Sequence, residues 1–406
     1  MIAKPNLHLL ATIATGLLLV SLSLASVSTK MAGLAWLLMV LAGGFAVWQQ
    51  RTVLPHQAFA AARIWLWICI LALLVRSVPV AYWGDPWAER HAELRLLLGA
   101  LGVWGLTRLK ALPTAWALHG LAVAGLLGFF MVLMVGRDGF PTNAIPWAGG
   151  VAMMALVLLH GSVLLAAPVV QRGLWGLGAV AAMAAVLMSE TRGAYGVVGW
   201  AAVWLLWQSR GKLTLKTLGA AALVSVLALV ALRNTPLVQA PMNRVMLAVA
   251  EFQGSQARVE GAQNSSVGAR VELWKLAAQA VPQKPWLGHG HDERLNLIHQ
   301  WGKDHNSETV TNLGHMHNQY LHDLMDHGLV GLASTLIYLF GLTGMAIWLL
   351  KRKQAFAGWA LGGVAFMHAT TSLTNVNFAH NYYPTIMSLV VGVALVSMAT
   401  ESAPKQ

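Results

Sequence analysis

The chain reads as a succession of apolar runs divided by short polar breaks. The runs fall near 7–25, 31–48, 59–80, 93–107, 113–136, 145–170, 173–189, 193–207, 216–232, 328–350, 355–373 and 382–400. Most are about 17–25 residues long, enough for a helix to cross the hydrocarbon core of a bilayer. Lipid offers no partner to an open strand edge, so such runs cross as helices. The pattern predicts an all-α polytopic membrane protein with about 12 transmembrane helices. The first run follows Lys4, precedes further spans and shows no distinct small-residue cleavage site, so it reads as a retained helix.

One long polar stretch interrupts the pattern and divides the chain into 1–232, 233–327 and 328–406. It holds eight basic and nine acidic residues and eight of the fifteen histidines. It is patterned rather than repetitive. Met242 to Phe252 reads as an amphipathic helix started by Pro241. Ser265 or Ser266 caps a helix through Ala280, with Val271, Trp274 and Ala278 on one face and Pro282 beyond its end. Asp292–Trp301 and Asn318–Met325 read as two more. Gly288-His289-Gly290 is a turn that permits close backbone approach. These elements predict a compact helical cap on the outer ends of the membrane helices.

Composition agrees with the spans. Hydrophobic residues make up 57%, mean hydropathy is +0.60, and charged residues are 10%, where a soluble domain has about a quarter. The net charge of +12 lies mostly in short loops. With a cytoplasmic N-terminus, the inner loops and ends hold Lys4, Arg51, Arg63, Arg108, Lys110, Arg172, Arg210, Lys212, Lys216, Lys351, Arg352, Lys353 and Lys405. The outer loops hold Lys30, Arg90, Arg137 and Arg192. That asymmetry places both termini in the cytoplasm and 233–327 outside. It accounts for the basic balance with membrane lipids as surroundings and no nucleic-acid partner. Cys69 is the one cysteine, and no CxxC, P-loop or dinucleotide fingerprint occurs. No cofactor is implied, so chemistry here is driven by an activated substrate or a gradient.

The candidate chemistry lies on the outer side, with Arg76 in the outer half of the third run. His315-Met316-His317-Asn318-Gln319-Tyr320-Leu321 closes the polar stretch. In an extended lead-in the two histidines share a face. One of them is a candidate general base, with Asn318 and Tyr320 as hydrogen-bond partners; the plainer alternative is two interfacial histidines at a helix start. Arg192, Arg270 and Arg76 suit a polyanion, because guanidinium pairs with phosphate oxygens through planar hydrogen bonds. The plainer alternatives pair Arg192 with Glu190 and Arg270 with Glu272. His289, His291, His315 and His317 offer four nitrogens to a metal, but no HExxH or two-His-plus-carboxylate spacing occurs, and no metal site is predicted.

With these pieces in place the chain resembles the O-antigen ligase family, within a superfamily that includes O-antigen polymerases and pilin O-oligosaccharyltransferases. The resemblance rests on the HxHNxxL-type segment His315–Leu321 after a long outward loop. It also rests on Arg270-Val271-Glu272-Leu273-Trp274-Lys275-Leu276-Ala277 as an RxxxWxxA helix, Pro285–Gly290 as a PxxGxG turn, and Thr191-Arg192-Gly193 as a TRG-like element. It implies a GT-C-like membrane glycosyltransferase. The implied reaction moves a glycan from undecaprenyl diphosphate to a sugar hydroxyl of lipid A–core in the periplasmic leaflet of a bacterial inner membrane, without a metal and with inversion. His317 would then be the base, Arg192 and Arg270 the diphosphate clamp, with Arg76 and Arg294 as further candidates and His315 orienting His317 or binding substrate. The alternatives within the superfamily are the polymerase and the pilin O-oligosaccharyltransferase; relatives of those kinds are typically longer, which favours the ligase. A transporter of a lipid-linked or anionic substrate is the alternative of another class. It would show internal repeats and mid-span polar groups, neither of which is evident.

Overall fold

The computed structural model describes residues 7–49, 57–86, 90–108, 114–137, 139–211, 231, 233–257 and 259–401, and among these there are helices and no strand. The first eight helices are α1 (Leu7–Ser23), α2 (Thr29–Gln49), α3 (Gln57–Trp83), α4 (His91–Leu106), α5 (Thr114–Val135), α6 (Ala144–Leu164), α7 (Val169–Met188) and α8 (Gly196–Ser209). After the polar segment come α13 (Gln319–Lys351), α14 (Ala355–Ser372) and α15 (Tyr382–Glu401). Among the described residues α2, α3, α5, α6, α7 and α13 are long and apolar enough to cross a membrane, and shorter apolar helices cover Ala14–Ser23 and Tyr382–Met398. The protein is a multi-pass membrane protein. Of the twelve spans expected, the ninth (216–232) lies outside the described residues except for Ala231. The sixth ends earlier than its apolar run: α6 stops at Leu164, and Leu165 is extended. Pro168, the N-cap of the next helix, keeps Ala167 out of helical backbone, so α6 and α7 cannot run on as one helix.

α6 is the central post. Its apolar window is 83% buried, against 28–44% for the other five crossing helices, and it packs on α7, α14 and α15. Small residues bring other pairs close. A Cβ on Gly43 of α2 or Gly105 of α4 would overlap the partner helix backbone. Where lipid is as apolar as leucine, such close packing is what holds helices together.

The polar segment folds as helices α9 (Pro236–Gln256), α10 (Ser266–Ala280), α11 (His291–Asp304) and the single turn α12 (Glu308–Thr311). α9 begins earlier than expected. Pro236 takes the first helical position, where a missing N–H costs nothing, and Pro241 lies inside the helix. Of the two serines expected to cap α10 it is Ser265 that does so, accepting from the Gly268 N–H at 3.0 Å. The face of Val271, Trp274 and Ala278 on α10 is not the one that packs. Ala269, Leu273, Leu276, Ala277 and Ala280 are inside while Trp274 is exposed. They join Ile298, Val310, Met316 and Met325 in a second, smaller core.

Two glycine-dependent backbone approaches join this segment to α13. α13 is broken at Gly328 (φ 62°, ψ −155°), where the polar lead-in Gln319–His327 meets the apolar run. The turn 285–290 docks into the break. The N–H groups of His289 and Gly290 donate to the carbonyls of Met325 and Asp326, each at 2.8 Å. Those of Leu329 and Val330 donate to Pro285 and Trp286 at 2.8 and 3.2 Å. The turn thus supplies backbone partners that a broken helix lacks. A Cβ on Gly288 would strike the backbone of Asp326 and His327, and one on Gly328 the backbone of Trp286.

Candidate active site

The segment 312–318 is an irregular lead-in to α13. Asn318 caps that helix, accepting from the Leu321 N–H at 3.1 Å, and its own amide donates to the Leu373 carbonyl. Tyr320 donates its hydroxyl to the Ala369 carbonyl at 3.1 Å. Both were expected to bind substrate or assist the base; both are engaged in anchoring the segment to α14 and the loop after it. His317 takes a left-handed backbone (φ 49°), uncommon for a residue with a Cβ and a sign that its surroundings hold it there. Its N–H donates to His315 Nδ1 at 3.3 Å, and the two ring centroids lie 4.3 Å apart with the planes at 66°. An Nδ1 that accepts leaves the proton of neutral His315 on Nε2. His317 Nδ1 is buried without a hydrogen-bond partner.

A third imidazole completes the group. His380, in the loop before α15, has its ring 6.4 Å from that of His315, and its Nε2 is also buried and unpartnered. Burial, then His315, Arg270 and His380, push the His317 pKa down to about 3. Burial, then His380, Arg294 and Arg270, push His315 down to about 4. His380 is lowered by burial and by His91. These imidazoles are neutral at physiological pH, the state a general base requires.

The arginines gather beside them. Arg192 opens the 3-10 turn Arg192–Ala194 after α7 and donates to the Arg244 carbonyl at 3.5 Å. Arg270 sits one turn into α10 and donates to the Ser266 carbonyl and hydroxyl, each at 2.8 Å, while its Nε is buried and unpartnered. Burial first, then Arg192, Arg244 and Arg137, lower the Arg270 pKa to about 10 against an opposing contribution from Glu251. Burial and Arg244 likewise lower Arg192. Arg137 donates to the Ser189 and Glu190 carbonyls, 3.0 Å each, at the C-terminus of α7. Arg270 is therefore the bridge, within electrostatic range of Arg192 on one side and His317 on the other.

The pairings considered from sequence differ in detail. Glu190 lies 4.0 Å from Arg244 rather than pairing Arg192. Glu272 is taken by Lys275 at 2.7 Å and Trp301 at 3.2 Å, leaving Arg270 to Ser266. Arg76 and Arg294 stand apart from the other candidates, each buried against a carboxylate. Arg76 is buried in α3 with Nη1 2.6 Å from Asp323, and Glu93 is at 3.7 Å. Arg294 is buried against Asp326 and donates to the Gly314 carbonyl at 2.5 Å. A desolvated guanidinium holds such a carboxylate tightly. Asp323 also accepts from Thr335 at 2.6 Å and Gln319 at 3.1 Å. Beside this network His327 lies 2.8 Å from Asp85.

Sequence reasoning had not brought Arg137, Arg244 and His380 to the site. Arg137 stood out only as a loop charge and Arg244 only as one basic residue of the polar stretch. His380-Asn381 repeats the His-Asn pair of His317-Asn318 in another expected outer loop, and that was the one local signal. For a metal, no group of three or more His, Cys, Asp or Glu converges among the described residues. His289 instead contacts the Ala280 carbonyl, and His291 contacts Arg294.

Comparison with known proteins adds two findings. Residues 177–336 match the family model described as O-antigen ligase, a segment that contains Arg192, Arg244, Arg270, His315 and His317. A Haemophilus influenzae protein described as uncharacterized is 36% identical over 75 residues, 18% of this chain and 19% of that protein. The aligned part thus spans about a fifth of that relative's length.

Proposed function

From an O-antigen ligase family domain at residues 177–336, whose members are glycosyltransferase-like enzymes acting on polyprenyl-linked glycans, we propose that this protein is an O-antigen ligase. It transfers a glycan from undecaprenyl diphosphate to a sugar hydroxyl of lipid A–core. The site faces the periplasm from a bacterial inner membrane, both termini are cytoplasmic, and the fold is GT-C-like with about 12 spans.

The observation that carries the reading is a charge surplus beside neutral imidazoles. Arg270 feels the charges of Arg192, Arg244 and Arg137 with Glu251 opposing them, and Glu190 lies 4.0 Å from Arg244. Arg192 and Arg270 make no ion pair among the described residues, so two fixed positive charges face the about two negative charges of a diphosphate diester held by guanidinium forks. As the glycosyl bond breaks, negative charge grows on the leaving diphosphate, where fixed guanidinium groups stabilise it. The acceptor hydroxyl loses its proton to His317 as its oxygen attacks the anomeric carbon. A base of this kind contributes about 10²–10⁴-fold. One displacement inverts the centre. A retaining route needs a carboxylate nucleophile, and the nearest in sequence, Asp323 and Asp326, are held by Arg76 and Arg294.

The test is purified protein in nanodiscs with lipid-linked donor, lipid A–core acceptor and excess chelator. Capped acceptor should form, and His317→Ala should abolish it. Donor elongation without an acceptor would give the polymerase instead. Loss of activity in chelator with rescue by a divalent ion would overturn the metal-independent mechanism.

A further inference from the structure

α9 has its polarity reversed. Arg244 and Glu251 are the only charged residues in Pro236–Gln256. With Ala248 they form a stripe at three- and four-residue spacing that turns inward, towards α7 and α10. The opposite face carries Met242, Val245, Met246, Val249 and Phe252. These are exposed, Met246 by 64% and Val249 by 51%. A helix at a water-washed surface shows the reverse arrangement, charge outside and apolar stripe inside.

We propose that α9 is not part of a water-exposed cap. Its outer face lies among the acyl chains of the bilayer, and the helix forms the wall between lipid and the arginine group. Three observations favour acyl chains over another protein. α9 packs on α7, itself a membrane-crossing helix, and Arg244 sits beside Glu190 at the end of that helix, so the exposed stripe runs at the rim where α7 leaves the membrane. The stripe from Met242 to Phe252 carries no charge. The polar Gln253 and Gln256 come only in the last turn, where the helix leaves the apolar stripe. Large apolar groups on one face and charge on the other are the features that seat a helix in an interface. A substrate with its lipid tail in the leaflet would then reach Arg244, Arg192 and Arg270 past α9. The placement of α9 stands whether or not a glycan is transferred.

The test uses Met246→Cys and Val249→Cys, each labelled with NBD on the full chain in nanodiscs; the native Cys69 is buried. Lys303→Cys on α11, exposed among charged neighbours, is the control. Lipids carrying a doxyl group on the acyl chain should quench labels at 246 and 249 and leave 303 bright, while aqueous iodide should do the opposite. Iodide quenching of 246 and 249 equal to that of 303 would overturn the proposal. So would labels shielded from both quenchers together with energy transfer between two copies, since a second copy would then cover the face.

Discussion

Replacing Arg294 by Met removes a buried charge that holds two elements together. Its guanidinium pairs Asp326 at the start of α13 and donates to the Gly314 carbonyl just ahead of His315. Both side chains of the pair are buried, with 1% and 0% exposure. Arg294→Met leaves the carboxylate in that interior with only His322 Nε2 at 3.3 Å, and breaking such a pair costs about 3–5 kcal/mol. Asp326→Leu should cost a similar amount by stranding the guanidinium. The double variant strands neither charge, so the two effects should not add; a coupling of about 2–3 kcal/mol is expected for neighbours of this kind. The assay is a double-mutant cycle of thermal midpoints in detergent, run beside capping of lipid A–core. Each single variant should lose midpoint and activity together, and the double should lose about 2–3 kcal/mol less than the two single losses summed. If Arg294→Met keeps the wild-type midpoint while donor use collapses, Arg294 works on substrate and its assignment to the scaffold is wrong.

Arg270→Lys keeps a charge and loses the planar fork. A charge-assisted hydrogen bond is worth about 1.5–3 kcal/mol, so kcat/KM for the lipid-linked donor should fall roughly ten- to a hundredfold; an unchanged value would remove Arg270 from the diphosphate clamp. The lowered pKa of His317, about 3, places the acid limb of kcat/KM well below the ordinary imidazole value, and the bound anionic donor should move the limb of kcat upward. A kcat/KM limb near pH 6.5 would mean that His317 is not desolvated in the free enzyme, and a kcat/KM limb unchanged in His317→Ala would deny it the role of base. Because unfolded histidines take up protons below about 6.5 and His315 and His317 resist until about 4 and 3, stability should fall as pH drops through that window. Thermal midpoints between pH 7 and 4 check this, and a flat profile would contradict it. Gly288→Ala, at φ +66° and against the α13 backbone, should cost about 1–3 kcal/mol by overpacking, read as a lowered thermal midpoint; a neutral result would mean the turn does not need its close approach.

What the sequence determined by itself was whatever depends on near neighbours. Apolar runs located the membrane helices, because hydrophobic length and backbone satisfaction are properties of one segment. Ser265 as a cap and Gly288–Gly290 as a close turn were legible for the same reason, each being a contact within a few residues or a backbone allowance. The His315–Leu321 and Arg270–Ala277 segments carried the family resemblance. Only tertiary structure decided which arginines are free to meet an anion. Arg76 and Asp323 lie 247 residues apart, and no spacing rule joins them, yet that contact neutralises Arg76. Arg137 and Arg244 became part of the site because the end of α7 and the inner face of α9 converge on Arg192. A guanidinium looks the same in sequence whether a carboxylate, a like charge or lipid stands beside it. Its chemistry is set by what is desolvated next to it, and that is fixed only when distant helices pack.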